Sequence, residues 1–143
     1  MIAYLLDTNV VSASRRPDRQ TAEFRSFLRE FDVDKAFISA ITVMEIEFGI
    51  ERERGRNQAF AEDLSRWFTT MVLPAFKGRI LPFEEQTAVV TGRLPTADKR
   101  PTADAMIAAT ALHHGLVLVT RNLADFRPLG VGCLNPWDRP PTN

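Results

Sequence analysis

Four carboxylates stand where a buried strand candidate gives way to a helix or a turn: Asp7, Glu45, Asp104 and Asp125. Asp7 directly follows the apolar run 2–6, which is too short for a helix core and is typical of a strand buried on both faces. In open α/β sheets, ligands bind at the edge formed by the carboxyl ends of the strands. If the strands are parallel, all four acids approach that one edge.

Carboxylates crowded at one edge repel one another unless a cation offsets their charge. Oxygen ligands without histidine or cysteine favour Mg²⁺ or Mn²⁺. Such a site activates water and neutralises the charge that grows on a phosphodiester. The sequence therefore predicts a divalent metal site that acts on phosphate esters.

Each acid also has a purely structural interpretation. Thr42 and Glu45 match a capping box, Asp104 could interact with a helix dipole, and Asp125 could be a turn residue. Asp7 is harder to explain this way, because an acid beside a buried strand is unfavourable without a partner. The coincidence of all four favours the metal site.

Composition limits the class of protein. The 143 residues are 45% hydrophobic, which suits one domain with a real core. The formal net charge of 0 argues against a dedicated nucleic-acid coat, but not against an enzyme that acts on nucleic acid. We expect neither a membrane helix nor a secretory signal. The single Cys133 excludes an internal disulfide and favours a reducing, cytoplasmic environment.

Strand and helix candidates alternate along the chain. The strands are predicted at 2–6, 36–39, 79–81, 116–119 and 131–134. The helices are predicted at 8–14, from residue 18 through Phe24, Phe27, Leu28 and Phe31, then at 41–49, 57–73, 84–93 and 103–114. Asn57 and Thr102 are predicted N-caps, Pro74 a stop and Gly115 a C-terminal cap. Phe60, Leu64, Trp67, Phe68 and Met71 form the predicted buried stripe of the helix 57–73.

This alternation predicts an α/β fold with a mostly parallel central sheet flanked by helices. We expect one domain over residues 1–137, followed by a Pro-rich tail over 138–143.

Several segments resemble the PIN-domain ribonucleases, and more closely the VapC toxins of bacterial toxin–antitoxin pairs, including the FitB-like branch. The segments are Leu5-Leu6-Asp7-Thr8-Asn9-Val10, Ser39-Ala40-Ile41-Thr42-Val43-Met44-Glu45, Ala103-Asp104-Ala105-Met106-Ile107-Ala108-Ala109-Thr110-Ala111, Val119-Thr120-Arg121-Asn122 with Asp125-Phe126, and Asn135-Pro136-Trp137. The resemblance implies a single PIN-like domain and a Mg²⁺- or Mn²⁺-dependent endoribonuclease that acts as a toxin.

The same resemblance implies roles for residues. Asp7, Glu45 and Asp104 match the three acidic positions of the family, and we expect Asp7 and Asp104 to hold metal directly. Relatives carry the fourth acid at the place of either Asn122 or Asp125. We favour Asp125, with Asn122 or Thr120 in support.

The resemblance also implies partners. These are an RNA substrate, a second copy of the chain in a homodimer, and a VapB-type antitoxin that silences the enzyme. Operator DNA is expected only through the antitoxin, and a membrane is not expected.

Nine basic residues are candidates for phosphate contact, although charge runs of this kind are usually solvated surface. They are Arg15, Arg16, Arg19, Arg52, Arg54, Arg56, Lys99, Arg100 and Arg121. Arg121 is favoured because it neighbours the predicted acidic edge.

Other polar and aromatic residues have structural interpretations. His113 and His114 precede Gly115, where they suit the negative end of a helix dipole. Trp67 and Trp137 are expected to be packing or dimer contacts.

Two other functions compete with the nuclease. An aspartyl-phosphate mechanism at Asp7 calls for a second Asp two residues later, where this chain has Asn9. A catalytically weak PIN-like binding module, acting mainly in an antitoxin–operator complex, is the remaining alternative.

Overall fold

The computed structural model describes residues 2–96 and 100–138 and contains a five-stranded sheet. Its strands are Tyr4–Leu6 (β1), Ala36–Ser39 (β2), Ile80–Leu81 (β3), Val117–Val119 (β4) and Cys133–Leu134 (β5). Their order is β3-β2-β1-β4-β5, and each neighbouring pair is parallel. The predicted α/β fold with a parallel sheet is therefore confirmed.

The segments between the strands are mostly helical, as parallel crossovers require. The α-helices are Thr8–Ala13 (α1), Ala22–Glu30 (α2), Ala40–Arg54 (α3), Gln58–Trp67 (α4), Leu73–Ala75 (α5), Glu85–Gly92 (α6), Ala103–His114 (α7) and Leu123–Phe126 (α8). Within the described ranges, no helix is both long and apolar enough to cross a membrane.

The central strand β1 is covered on both faces. Leu6 belongs to one apolar cluster together with residues of α1, α2, α3 and α4. Leu5 belongs to a second cluster with residues of α7, α8 and the start of α3. Because successive side chains of a strand point to opposite faces, this alternation places helices on both sides of the sheet.

Caps fix the ends of helices α4 and α7. The Asn57 and Thr102 side chains accept hydrogen bonds from the backbone N–H groups of Phe60 and Ala105, which confirms both predicted N-caps. Gly115 ends α7 in the left-handed region with φ 66°, a conformation that favours glycine.

The capping-box interpretation of Glu45 is wrong. The N-cap of α3 is Ser39, whose hydroxyl accepts from the backbone N–H of Ile41. Thr42 is therefore inside the helix, with a completely buried side chain. Glu45 lies in the second turn of α3, beyond the reach of a cap.

The segment after α4 also differs from the prediction. A π-helical turn, Phe68–Val72, joins α4 to α5, so helical structure continues through Pro74 to Ala75. Proline is tolerated there because it lies in the first turn of α5. The wider turn directs Val72 to the core, at 6% exposure, and leaves Met71 64% exposed. Met71 is therefore not part of the buried stripe.

Phe60 was also predicted to be buried in that stripe and is 37% exposed. It lies near the start of α4, under the Arg15 guanidinium, while the next residue, Ala61, is completely buried in the first cluster. Leu64, Trp67 and Phe68 do pack against the first apolar cluster.

Candidate active site

Asp7 lies at the carboxyl end of β1, where the strand order of the sheet reverses direction. It caps α1, and its side chain is only 4% exposed. Oδ1 accepts from the backbone N–H of Thr8 at 2.8 Å, and Oδ2 accepts from Asn9 Nδ2 at 3.1 Å and from Thr120 Oγ1 at 2.8 Å. These donors fix the orientation of the carboxylate at the switch point of the sheet.

Thr120 follows β4 and is fully buried. Its hydroxyl oxygen accepts from the backbone N–H of Asn122 at 3.0 Å while its proton is donated to Asp7. The backbone N–H of Arg121 donates to Asn9 Oδ1 at 3.4 Å. The turn after β4 is thereby joined to the turn after β1.

Glu45 reaches the same edge from α3. The hydroxyl of Thr8 donates to Glu45 Oε1 at 2.6 Å and lies 3.1 Å from Thr42 Oγ1. Thr8 is the residue after Asp7, so one hydrogen bond places Glu45 beside the end of β1. Glu45 therefore contacts the candidate site rather than its own helix start.

Asp104 and Asp125 face each other across a cleft. Asp104 is in the first turn of α7 and Asp125 is in α8, and both line an opening of about 540 Å³ together with Thr102 and Pro128. Asp104 is half-buried, whereas Asp125 is exposed. Asn122, the other candidate for the fourth position, contributes its backbone N–H to Thr120.

Burial and mutual repulsion raise the pKa values of two of these acids. The pKa of Asp7 is raised to about 6, chiefly by burial and also by the charges of Asp104 and Glu45, while the hydrogen bonds from Thr120 and Thr8 oppose the shift. Burial also raises the pKa of Asp104, and the charges of Asp125 and Glu45 add to it. The edge therefore holds more negative charge than its protein donors offset.

The donor set fits a hard divalent cation. All four predicted acids, including the expected metal ligands Asp7 and Asp104, offer carboxylate oxygens, the type that Mg²⁺ and Mn²⁺ prefer. In the described part of the chain, no three of these acids bring one oxygen each within 4.8 Å of one another.

Comparison with known proteins identifies the family. The model of the PIN domain matches residues 4–128, most of the chain. The chain belongs to the PIN-domain family. The predicted resemblance is therefore confirmed, and the matched range contains all four acids of the candidate site.

Similar proteins include two curated bacterial relatives. Toxin FitB of Neisseria gonorrhoeae is 34% identical over 140 residues, covering 93% of this chain and 97% of the relative. VapC ribonuclease Y4jK of Sinorhizobium fredii is 32% identical over 142 residues, covering 94% and 97% of the two chains. The solved structure of FitAcB from Neisseria gonorrhoeae superposes with a TM-score of 0.81 at 33% identity, covering 94% of this chain and 99% of that one.

Several predicted phosphate-binding arginines of this PIN domain are paired with acids on the surface. Arg16 contacts Asp18 at 2.8 Å and Arg54 contacts Glu51 at 2.8 Å. Arg56 is 3.7 Å from Glu53. Exposed pairs of this kind are typical of solvated helix ends. Lys99 lies outside the described residues.

Two arginines lie near residues of the acidic edge of the PIN domain. Arg15 lines the same cavity as Thr8 and Glu45, with its guanidinium carbon 5.3 Å from the centre of the Phe60 ring. Arg121 directly follows Thr120, and its backbone N–H donates to Asn9 Oδ1. Both arginines therefore bring positive charge close to the acids.

Arg121 is held by stacking on an aromatic side chain. Its guanidinium carbon is 4.8 Å from the Trp137 ring centre. Trp137 stacks in turn on the buried Phe24, with ring centres 4.3 Å apart and planes 15° apart. The indole N–H donates to Gln20 Oε1 at 3.3 Å. Trp137 is thus a packing residue, as predicted, and it also supports Arg121.

Sequence reasoning missed Thr8 and Asn9 as members of the site. Both contact the acids through their side chains. Their position in the sequence could have identified them. Both residues directly follow Asp7, which ends β1 and caps α1, so they must lie at the same edge of the sheet as Asp7.

Proposed function

We propose that this PIN-domain protein is a metal-dependent endoribonuclease, the toxin of a type II toxin–antitoxin pair. The observation that supports the proposal is electrostatic: the charges of Asp104 and Glu45 act on Asp7, and those of Asp125 and Glu45 act on Asp104. The relatives named as a toxin and as a VapC ribonuclease support the same activity.

Asp7 and Asp104 are the proposed ligands of Mg²⁺ or Mn²⁺, because they are the two whose pKa values are raised by burial and by neighbouring acids. A bound ion would lower the pKa of water and offset the charge that develops on the phosphodiester. Thr120 and Asn9 hold the Asp7 carboxylate in orientation, and Thr8 does the same for Glu45.

Glu45 and Asp125 would hold water at that ion, or help to hold a second ion when RNA is present, so that water is oriented for in-line attack on phosphorus. Hydrolysis then leaves a 5′-phosphate and a 3′-hydroxyl. Asp125 is proposed for the fourth position rather than Asn122, because Asp125 shares the cleft with Asp104. Arg15 and Arg121 are the proposed phosphate contacts, because both lie near residues of the site.

The proposed partners follow from the same family. RNA is the substrate, a VapB-type antitoxin silences the site, and operator DNA is bound only through the antitoxin. The formal net charge of 0 agrees with a chain that does not bind operator DNA by itself. The lone Cys133 supports a reducing cytoplasm as the compartment.

A homodimer is also proposed, with the exposed side of α3 in the interface. Met44 and Phe48 lie one helical turn apart and are 53% and 65% exposed. Apolar side chains this exposed mark an interaction surface. Light scattering of Phe48→Ser should show more monomer than the wild type, whereas an unchanged mass would place the interface elsewhere.

The decisive test of activity is cleavage of total RNA by Asp7→Asn and Asp104→Asn. Each change should reduce metal-dependent cleavage by roughly a hundredfold or more, the scale of losing a preorganised electrostatic group. Asp63→Asn is a matched control, because Asp63 is an exposed acid of α4 paired with Arg66. Near wild-type cleavage by folded Asp7→Asn would refute the assignment.

Metal titration distinguishes the binding-module alternative. An ion that binds the folded state raises the melting temperature by mass action. A shift with millimolar Mg²⁺ or Mn²⁺ that is lost in Asp104→Asn supports the enzyme. No shift and no cleavage would instead favour a catalytically weak module.

A further inference from the structure

A second cluster of possible metal ligands lies away from the acidic edge, at the opposite end of α7 from Asp104. It consists of Glu84, His113 and His114, each of which offers one ligand atom within 4.8 Å of the other two. Within residues 2–96 and 100–138, no other group of histidine, cysteine or acidic side chains meets this spacing. The chain has two histidines, and both are in the cluster.

Local structure brings the three side chains together. His113 and His114 form the last turn of α7, which Gly115 ends. Glu84 is the N-cap residue of α6, yet its side chain makes no capping hydrogen bond. The carboxylate is directed at His113 instead, with Oε1 3.8 Å from Nε2. The His113 and His114 rings meet edge to face, with centres 4.6 Å apart.

An ordinary ion pair explains only part of this arrangement. A His113–Glu84 contact of 3.8 Å is at the outer limit of a salt bridge, and exposed pairs contribute little stability. It does not involve His114, whose ligand atom also lies within 4.8 Å of those of Glu84 and His113. Two imidazoles and a carboxylate around one point form the donor set of a transition-metal site.

We propose that Glu84, His113 and His114 bind a divalent transition metal, with Zn²⁺ as the reference ion. In a tetrahedral shell with Zn–N of about 2.0–2.1 Å, neighbouring ligand atoms are about 3.3 Å apart. The present separations need only a modest closure, and the exposed Glu84 and His114 side chains can rotate to provide it. The fourth position would take water.

The two sites of the molecule then select different ions. The acidic edge offers only carboxylate oxygens and favours Mg²⁺ or Mn²⁺, whereas imidazoles favour Zn²⁺, Ni²⁺ or Cu²⁺. An ion at the histidine site would join the start of α6 to the end of α7. Because α7 carries Asp104 in its first turn, this site braces a helix that also serves the acidic edge.

The test is a Zn²⁺ titration of the untagged protein, labelled with ¹⁵N at its histidines, in the presence of excess Mg²⁺. Both imidazoles should shift with one equivalent of Zn²⁺. Glu84→Gln and His114→Ala change exposed side chains, and each should weaken Zn²⁺ binding at least tenfold. Glu85→Gln, which alters the neighbouring exposed acid in α6, should bind as the wild type does. Asp7→Asn should also retain Zn²⁺ binding.

Three results would overturn the proposal. The imidazole signals could stay unchanged in excess Zn²⁺. Glu84→Gln could bind Zn²⁺ as tightly as Glu85→Gln does, which would mean that the Glu84 carboxylate is not a ligand. Binding could be lost in Asp7→Asn and kept in His114→Ala, which would place the Zn²⁺ at the acidic edge.

Discussion

The hydroxyl of Thr120 donates a 2.8 Å hydrogen bond to Oδ2 of Asp7, a residue 113 positions earlier in the chain. This bond lowers the pKa of Asp7 against the opposing effect of burial. Thr120→Val should therefore raise that pKa further, so that a larger fraction of Asp7 is protonated at neutral pH. We expect RNA cleavage at pH 7 to fall roughly tenfold, the scale of losing a supporting contact to a metal ligand. The acidic limb of the pH–rate profile should move to higher pH.

Thr110→Val is the matched control for Thr120→Val. Thr110 is equally buried, but its hydroxyl donates to the backbone oxygen of Met106 within α7. That variant should leave the pH profile in place. A Thr120→Val enzyme that is slower at every pH by the same factor would show that Thr120 acts on packing rather than on Asp7.

The raised pKa of Asp7 makes folding stability depend on pH. Burial brings its pKa from 3.8 to about 6, so the folded state binds more protons than the unfolded state between these values. The contribution of protonated Asp7 to the free energy of unfolding is fully present below about pH 4 and is lost as pH rises through about 6. At pH 7 its loss lowers the free energy of unfolding by about 3 kcal/mol. In EDTA, the stability of Asp7→Asn relative to wild type should therefore be greater at pH 7 than at pH 4.5.

Urea denaturation of both proteins at the two pH values measures this effect. Because the other titrating groups are common to both proteins, the difference between their free energies of unfolding reports on Asp7 alone. An equal difference at pH 7 and pH 4.5 would contradict the raised pKa.

Divalent metal should reverse the same loss of stability, because a cation replaces the proton at Asp7 and Asp104. The pKa values of both acids are raised, so protons compete with metal more strongly at pH 5.5 than at pH 7.5. Millimolar Mg²⁺ or Mn²⁺ should therefore raise the melting temperature more at pH 7.5. Differential scanning calorimetry at both pH values checks the sign, and a larger shift at pH 5.5 would argue against carboxylate ligands.

The sequence was sufficient where one local rule dominated. An apolar run ending in Asp7, a threonine before α7 and a glycine after it each predict a single local structure, and all three are present. The parallel sheet followed from strands separated by helices. The edge of the sheet at which the acids lie could be predicted for the same reason.

The rest depended on contacts between distant residues. Thr42 and Glu45 fit a capping box by spacing, but Ser39 begins the helix, and the partner of Glu45 is Thr8 in another element. The π-helical turn before Val72 adds a residue to one turn, which no periodic pattern of period 3.6 anticipates. Local spacing could not distinguish these alternatives, because the deciding partners are far away in the chain.

The Thr8–Glu45 contact gives a further prediction. Its 2.6 Å hydrogen bond is the one that orients Glu45 toward the end of β1. Thr8→Val keeps the shape of the side chain and removes the donor, so cleavage should fall severalfold while the helix cap by Asp7 is kept. Thr91→Val is a control, because the Thr91 hydroxyl bonds only within α6. If Thr8→Val loses no more activity than Thr91→Val, Glu45 does not depend on this contact.

Arg121, which stacks on Trp137, is the phosphate ligand that we propose for the site. The guanidinium is 4.8 Å from the indole centre, and the Arg121 backbone is bonded to Asn9 beside Asp7. Arg121→Ala should raise KM for RNA roughly tenfold and reduce the slope of log K against log salt by about one. Trp137→Leu should give a smaller rise, roughly two- to fivefold, since a cation–π contact at an exposed site is worth about 0.5–1 kcal/mol. Arg66→Ala, an exposed arginine on α4, should change neither quantity. A loss confined to kcat in Arg121→Ala, with the salt dependence intact, would mean that Arg121 acts on the acids rather than on the RNA backbone.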